Sequence, residues 1–388
     1  VWLQSFGGPL NDIGHGLAVN ASGQVYLAGW YADSIKFSPT DTITSAGGSD
    51  IYISAWDANG NFRWARSAGS PGVEYGYKVA CDNAGSAYVT GSAGVGSIFG
   101  AYTLASSGMY VVKYSEAGQE LWLAPSNNAL VISISVQPDS GADQKGMVCG
   151  RVVGMGNIGA YNFQSLEGGD DFYWAQFDAD DGTWSYAGFY GGNMSDKGRD
   201  CDYEVYPAFV ATFEGQASFW DRTFQSQGEL DLAMGWGAAA SPMLCTSGGA
   251  NSEVPFAIKI LPSGKLAVSG WHYGLGNIGS HIIDSGDISN QNAFVACFNP
   301  STGVNDGVVP VSGINCSPNP FRDMVTIDKL KSSKQVTVYN LKGQMLRQLE
   351  AARDGSCTWD GLDSQGRNCG NGVYYLKVGT EIKKVMKL

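Results

Sequence analysis

The sequence has few charged side chains, few histidines and no long apolar segment. Charged residues make up 15% of its 388 residues, and His15, His272 and His281 are its three histidines. No run approaches the roughly 18 apolar residues that a membrane-spanning helix needs. Val1 begins directly in β-like sequence, without the basic and then apolar leader of an export signal. We therefore expect no transmembrane segment, and we interpret the sequence as a mature chain.

Motifs of the common catalytic centres are also missing. No GxSxG, HExxH or comparable nucleophile or metal motif surrounds the histidines. The pairs Asp170–Asp171 and Asp180–Asp181 could serve glycoside hydrolysis, which needs two facing carboxylates, but their repeat-equivalent positions are turns. Asp178, Asp180 and Asp181 lie in a loop similar to a calcium loop, without the alternating spacing and distal Glu of an EF-hand. We predict no catalytic residue and no cofactor, with Ca²⁺ at these three aspartates as the open alternative.

Negative and positive charges are unevenly distributed. Residues 1–313 have a net charge of −17, whereas residues 314–388 have a net charge of +5. Phosphate binding depends on clustered Lys and Arg, so the acidic part argues against a nucleic-acid partner. The Lys residues of the basic part alternate with apolar ones, as is typical of a solvated strand face.

Glycine and aromatic residues, in contrast, are plentiful. The 54 Gly, 19 Tyr and 11 Trp favour short strands and tight turns. A unit of about 60 residues recurs: VNASGQVYLAG at 19–29 realigns with CDNAGSAYVTG at 81–91, and DIYISAWDANGNFRW at 50–64 with MYVVKYSEAGQELW at 109–122. Five copies span roughly residues 1–307, and the fourth, within 185–250, is the most divergent.

Each unit contains four short segments of alternating hydrophobicity separated by turn residues, which indicates a four-stranded blade. A sheet this small cannot bury both faces alone, so the copies must stack, and radial stacking gives a β-propeller. Residues 1–8, VWLQSFGG, are similar to the fourth strand FRWARSAGS of the first unit, whereas the last unit stops after its third strand. We expect residues 1–8 to pair with the last blade and close the ring.

The repeat resembles the SBBP-type β-propeller repeat of bacterial secreted proteins, with its Gly-Gly, its apolar-Asp-x-x-Gly turn and its Tyr-Val-x-Gly strand. The matching positions in the first two units are Gly7, Gly8, Gly23, Tyr26, Gly29, Asp82, Gly85, Tyr88 and Gly91. The resemblance implies a fold and an extracellular setting, and it implies no reaction.

After residue 307 the pattern changes. Residues 308–320 are a proline-containing linker, and residues 321–388 contain five to seven short strands, which predicts a small β-sandwich. This segment resembles the C-terminal sorting domain of type IX secretion, itself similar to the Ig-like domain of flagellar hook-capping proteins. The motif residues are Asn319, Pro320, Trp359, Asp360, Gly361, Gly372 and Tyr374. The resemblance implies an extracellular or bacterial cell-surface location, with the secretion machinery or surface components as partners.

Eight cysteines, an even number in a chain that resembles exported proteins, predict disulfides. Cys357 and Cys369 bracket the Trp-Asp-Gly turn, and a bridge between them would stabilise the domain by roughly 3 kcal/mol. Cys201 and Cys245, both in the irregular fourth unit, are a second candidate pair. The alternative is buried free thiols, which fits cysteines on strand-like segments: Cys81, Cys149 and Cys297.

Three classes of function agree with these observations. The first is a non-enzymatic surface or extracellular structural protein, whose oppositely charged parts make head-to-tail self-association and a filament conceivable. The second is a carbohydrate-binding propeller, in which aromatic residues after a strand-ending glycine would stack on a glycan: Trp30, Trp236, Trp271 and Tyr273. The third is a polysaccharide-active hydrolase, for which no specific motif is present. We favour the first class.

Overall fold

The computed structural model describes the following residues: 1–139, 141, 143–165, 169–238, 242–279, 281–286, 288–299, 315–328, 330, 335–340, 344–352, 355–378 and 381–388. Their secondary structure is β throughout, and none of them belongs to a helix of the length and apolarity required to span a membrane. The chain divides into two compact units, Val1–Gly307 and Val308–Leu388.

The first unit is a series of antiparallel sheets whose strands follow one another in sequence. Blade 1 has the strand order β1-β2-β3-β4, and blade 2 has the order β5-β6-β9-β10, with a β7–β8 hairpin inserted between β6 and β9. Their bounds are β1 Asp12–Val19, β2 Val25–Lys36, β3 Thr42–Trp56, β4 Phe62–Ala68, β5 Tyr75–Cys81, β6 Ala87–Ala93, β7 Ile98–Phe99, β8 Tyr102–Thr103, β9 Gly108–Tyr114 and β10 Glu120–Val136.

Strand β10 belongs to two blades: its first part pairs with β9 and its second part begins blade 3 by pairing with β11. Blade 3 continues through β13 and β14, and blade 4 has the order β15-β16-β17-β18. The fifth sheet has three strands in the described part of the chain, in the order β19-β20-β23. The bounds are β11 Lys145–Ile158, β12 Tyr161–Gln164, β13 Asp171–Asp178, β14 Trp184–Gly192, β15 Lys197–Tyr203, β16 Pro207–Phe219, β17 Arg222–Trp236, β18 Met243–Ser247, β19 Glu253–Ile260, β20 Leu266–Tyr273, β21 Leu275–Ile278, β22 His281–Asp284 and β23 Gln291–Phe298.

The hydrophobic cores lie between neighbouring blades. On β6, Val89 points into a cluster shared with blade 1, whereas the adjacent Tyr88 points into a cluster shared with blade 3. Successive residues of a strand face opposite sides, so each inner sheet contributes to two cores. The first strands of successive blades are in contact with each other, from β1 through β5, β10 and β15 to β19. This is the radial stacking of a β-propeller, and a ring of five blades remains a prediction.

A tryptophan on the fourth strand links each of the first two blades to the next one. Trp64 Nε1 donates to Glu116 O at 2.8 Å, and Trp122 Nε1 donates to Ala179 O at 3.2 Å. Each indole lies on a glycine of the next blade's third turn, where a side chain on Gly118 would come within 2.5 Å of Trp64. The glycine is therefore required both for its φ of +78° and for the close approach of the ring.

Residues 1–8 repeat this contact on blade 1. Trp2 Nε1 donates to Ala58 O at 3.1 Å, its ring lies on Gly60, and Phe6 stacks on Trp56 with ring centroids 5.5 Å apart. The segment thus occupies the place of a fourth strand from a preceding blade. However, it makes no ladder with β23 in the described residues, and its one bridge joins Gly7 to Lys36 of blade 1. Residues 1–8 therefore pack by side chains onto blade 1, and their pairing with the last blade stays a prediction.

The second unit is built from two sheets that share one core. The first has the order β24-β25-β28 and the second the order β27-β26-β29-β30. Val325 and Trp359 of the first sheet and Val338 and Leu376 of the second are each fully buried in one cluster. The bounds are β24 Asn315–Ser317, β25 Val325–Asp328, β26 Gln335–Asn340, β27 Met345–Glu350, β28 Cys357–Trp359, β29 Gly372–Val378 and β30 Glu381–Lys387. Residues 308–314 of the predicted linker lie outside the described residues, and the Ig-like topology stays a prediction.

Candidate functional site

The aromatic residues singled out as ligand-binding candidates do not occupy one equivalent set of positions. Trp30 and Trp271 do match, since each lies on a second strand and pairs with the first strand, opposite Ile13 and Val254. Trp236 instead ends a third strand and pairs with Ala208, near the turn that joins β15 to β16. The repeat alignment did not identify the strand that contains Trp236, because the fourth unit is the most divergent one.

Trp236 lines a groove of about 630 Å³ to which three successive sheets contribute. We call it the Trp236 groove, and its lining residues are Gln176, Tyr203, Val205, Tyr206, Pro207, Trp236, Gly237, Ala238, Ser263 and Gly264. Gln176 comes from blade 3, Ser263 and Gly264 come from the β19–β20 turn, and the others belong to blade 4. Concave surfaces with aromatic walls and a few placed polar groups are typical of small-molecule sites.

The polar groups of the Trp236 groove are held in place by hydrogen bonds. Gln176 Nε2 donates to Tyr203 Oη at 2.6 Å, and Tyr206 Oη donates to Gly264 O at 2.8 Å. Burial raises the pKa of both tyrosines above the ordinary value of a phenol. Both hydroxyl groups therefore stay protonated at neutral pH, and the groove presents neutral hydrogen-bonding groups beside the Trp236 ring.

Sequence reasoning missed most of this groove. Gln176, Tyr203 and Tyr206 are separated along the chain and meet because blades 3 and 4 stack. The one available signal was the Tyr-rich turn YEVYP at 203–207, between two predicted strands of the fourth unit.

The other aromatic candidates contact aromatic neighbours. Trp30 Nε1 donates to His15 Nε2 at 3.2 Å, and its ring meets Tyr75 edge-on with centroids 5.7 Å apart. Trp271 and Tyr273 lie on one face of β20 and meet edge-on with centroids 5.2 Å apart. These rings are half-buried and pack against aromatic neighbours outside the residues that line the Trp236 groove.

The aspartates considered for calcium serve the β13–β14 turn. Asp178 Oδ2 lies 2.6 Å from Lys145 Nζ, and this hydrogen bond holds the pKa of Asp178 below its usual value. Asp178 Oδ1 accepts from the Asp180 amide at 2.9 Å, and Asp181 Oδ1 accepts from the Thr183 amide at 2.8 Å. Within the described part of the chain, no three or more His, Cys, Asp or Glu side chains are grouped so that they could hold a metal ion.

The aspartates considered for hydrolysis are also occupied. Asp170 forms ion pairs with Arg151 and, at 3.3 Å, with Lys197. Asp171 is 4% exposed and starts β13, next to a blade junction. A carboxylate fixed between two cations is a poor proton donor, because the cations favour its charged form.

The predicted disulfides are absent. Cys357, Cys369 and Cys201 are free thiols, and Cys245 forms no disulfide with Cys201. Cys357 points into the sandwich core, where burial raises the pKa of its thiol to about 11, whereas Cys369 is half-buried in the loop before β29. Cys369 packs against the same core cluster, but the two thiols form no disulfide.

Cys201 is buried at the junction of blades 3 and 4. Its Sγ lies 3.9 Å from Met147 O, and its side chain interacts with that of Cys149. The fourth unit therefore places Cys201 against the third blade, away from Cys245.

The sorting-domain motif residues surround the C-terminal strand β30. Asn319 Oδ1 accepts from the Met386 amide at 2.9 Å, and Trp359 Nε1 donates to Leu362 O at 2.9 Å. Asp360 pairs with Arg347 at 2.7 Å, and Gly361 has a φ of +72°. Its carbonyl accepts from Lys387 Nζ at 3.2 Å.

Two further motif residues complete the support of β29 and the core. Tyr374 Oη donates to Gly370 O, and its ring packs edge-on against Trp359 with centroids 4.9 Å apart. Gly372 begins β29, whose residues 372–378 pair with β30 over its whole length. The motif thus forms the support on which the last strand lies; Pro320, at its start, follows Asn319 through a cis peptide bond.

Comparison with known proteins supports the assignment of this second unit. Residues 315–388 match the model of the secretion system C-terminal sorting domain. No curated protein matches the chain. Several solved structures match the chain weakly, with low sequence identities and TM-scores below 0.5.

Three of these structures show the range of sequence identities, coverages and TM-scores. The Dos1 propeller is 10% identical with a TM-score of 0.36, covering 99% of this chain and 94% of that one. A Synechocystis apocarotenoid oxygenase is 12% identical with a TM-score of 0.36, covering 76% and 62%, so the chain spans less than two thirds of that enzyme. PorZ, a surface component of the type IX secretion system of Porphyromonas gingivalis, is 11% identical with a TM-score of 0.18, covering 96% and 75%.

Residues 315–388 thus match the family of secretion-system C-terminal sorting domains, and the chain is exported to the cell surface or the extracellular space.

Proposed function

We propose that this chain is an exported, non-enzymatic interaction protein. In this proposal the propeller is the binding module, and the C-terminal sandwich serves export through the secretion machinery, surface attachment or contact between subunits. The sorting domain at residues 315–388 is the observation that carries the proposal. The ion-paired Asp170 and the turn-capping Asp178 and Asp181 support the non-enzymatic part, because the carboxylates considered for chemistry are already engaged.

A glycan is the ligand class that the Trp236 groove favours. The indole offers a flat apolar surface for stacking on a sugar ring, and Gln176 and the two protonated phenols offer neutral hydrogen-bonding groups at its edge. Most of the groove lies on one blade and its two turns, so a small ligand would not need to separate the blades.

A glycan array followed by calorimetry tests this assignment. Replacement of Trp236 by Ala should weaken binding of the best glycan by at least tenfold, since one tenfold step corresponds to about 1.4 kcal/mol and a stacked aromatic is worth about that much. Trp30→Ala is the matched control, because Trp30 packs against His15 and Tyr75 away from the groove. Failure of every glycan to bind the wild-type chain, or an equal loss in both variants, would contradict glycan binding at this site.

Self-association is a second part of the proposal. The chain has a net charge of −17 in residues 1–313 and of +5 in residues 314–388, so the two parts of neighbouring molecules attract each other. Attraction of this kind is screened by salt, with a Debye length of about 10 Å at 0.1 M. A head-to-tail contact that does not close would produce filaments.

Electron microscopy of the purified full-length chain at low and at high salt tests the assembly. Filaments or larger particles at low salt that shorten at high salt are expected. Monodisperse particles under both conditions would exclude self-association and leave the interaction role with other partners.

A further inference from the structure

Buried carboxyl groups recur in pairs at three blade junctions. Each pair combines a residue on the third strand of one blade with a residue at or just before the start of the next blade. All six residues are at most 4% exposed. The pairs are Asp50 with Glu74, Asp171 with Asp196, and Asp231 with Glu253.

One member of each pair is placed by the same local motif. It lies four residues after an amide of a glycine-containing turn and accepts a hydrogen bond from that amide. The bonds run from Ser70 N to Glu74 at 2.9 Å, from Gly192 N to Asp196 at 2.8 Å and from Gly249 N to Glu253 at 2.8 Å. The motif is visible in the sequence as a glycine pair, or Gly-Ser, followed four residues later by Asp or Glu.

The junction of blades 4 and 5 shows the consequence most clearly. Asp231 Oδ2 accepts from the Gln227 amide at 2.9 Å, and Glu253 Oε2 accepts from the Gly249 amide. The other oxygens, Asp231 Oδ1 and Glu253 Oε1, are buried and have no hydrogen-bond partner. Backbone walls them in, since a side chain on Gly248 or Gly276 would come within 2.2 Å of these oxygens.

No fixed positive charge compensates the pair. In the described part of the chain, neither carboxylate forms an ion pair with Lys or Arg. His272 lies directly opposite Glu253 on β20. The other titratable groups on the strands around the pair are Tyr273 on β20, Lys259 on β19, Cys245 on β18, Arg222 and Glu229 on β17, Glu214 on β16, and Lys197, Arg199, Asp200, Cys201, Asp202 and Tyr203 on β15. His272 is 4% exposed, and its Nδ1 has no partner.

We propose that Asp231 and Glu253 share one proton, so that blade 5 is held to blade 4 by a carboxylic acid–carboxylate hydrogen bond that is lost on deprotonation. Two buried acceptors without donors are both satisfied when one proton lies between them. Two buried charges without counter-ions would instead pay a large desolvation cost. A Ca²⁺ or Mg²⁺ ion would need six or more oxygen ligands, and the two carboxyl groups supply two buried side-chain oxygens without a hydrogen-bond partner among the described residues.

The acidities of the two groups agree with this arrangement. Burial, followed by the charge of Asp231, raises the pKa of Glu253 to about 8, and burial raises the pKa of Asp231 to about 7. A carboxyl group whose pKa is raised on folding stabilises the folded state below its unfolded pKa. That stabilisation is lost as the pH rises towards the folded pKa. We therefore expect the junction to loosen between about pH 5 and pH 8.

Hydrogen exchange of the full chain, read by mass spectrometry for residues 227–231 and 249–260 and corrected for intrinsic exchange, tests the shared proton. In the wild type, the opening equilibrium should rise by up to tenfold per pH unit across this range for the one linked proton. Asp231→Asn and, independently, Glu253→Gln replace the proton by an amide and should flatten this rise. Asp221→Asn makes the same change at an exposed turn of blade 4 and should leave it intact.

The outcomes separate the alternatives. Parallel pH profiles for wild type, Asp231→Asn and Asp221→Asn would overturn the proposal. If added Ca²⁺ at pH 8.5 slows hydrogen exchange at this junction in the wild type but not in Asp231→Asn, a bound cation and not a shared proton links the two carboxylates, and the proposal is overturned. Should neither junction variant fold, the infrared band of protonated carboxyl groups in the wild type at pH 6 decides: its presence and its loss by pH 9 support the proton, and its absence at pH 6 refutes it.

Discussion

Replacement of Trp2 by Ala tests whether the first residues act as a structural strand of the propeller. Trp2 donates to Ala58 O at 3.1 Å and covers Gly60, and it is 40% exposed, whereas Trp64 and Trp122 make the same contact at 8% and 6% exposure. Full burial makes a Trp→Ala change cost about 3–5 kcal/mol. Scaling by the buried fraction, we expect Trp2→Ala to lower the free energy of unfolding of the propeller by about 2 kcal/mol, and Trp64→Ala by about 4 kcal/mol.

Equilibrium unfolding in urea, followed by tryptophan fluorescence and circular dichroism, measures both changes. Leu3→Ala is the matched control, because Leu3 is 90% exposed and should change the stability by less than about 0.5 kcal/mol. The reasoning is refuted if Trp2→Ala has no larger effect than Leu3→Ala, since residues 1–8 would then contribute nothing to the propeller.

Two further predictions concern the sorting domain and the thiols. Lys387, 6% exposed, donates from Nζ to Gly361 O and Cys369 O, so Lys387→Ala should destabilise the second unit by about 2 kcal/mol while the exposed Lys377→Ala should not, as measured by thermal unfolding. Equal effects would show that the strand does not depend on this contact. Thiol titration of the unfolded, unreduced chain should count all eight cysteines, and a count of six or fewer would reveal a disulfide.

The repeat and the export domain could be predicted from local sequence. Gly23 and Gly85 mark the first turn of their blades, and both have a φ of +80° or more that glycine adopts without strain. The sorting-domain motif could be recognised because Asn319, Trp359 and Gly361 serve contacts within one small unit. Both features could be predicted because the residue type at these positions is determined by the local backbone conformation or by contacts with residues nearby.

Features that depend on stacking could not be predicted in the same way. The Trp236 groove joins Gln176 of blade 3 to the β19–β20 turn, and no spacing along the chain encodes that meeting. The cysteine pairing failed for a related reason: Cys357 faces inward on a strand, and period-2 alternation decides its partners more than closeness in sequence does. The glycine pair, or Gly-Ser, followed by an acidic residue is visible in the sequence. Which two carboxyl groups meet, however, depends on how two different blades stack.

Strand β10 has a consequence for how the protein yields to mechanical force. One uninterrupted segment of 17 residues is the outer strand of blade 2 and the inner strand of blade 3, and it is hydrogen-bonded to β9 and β11 in turn. No loop between these two blades can extend under tension, so both should come apart in a single event when the ends are pulled.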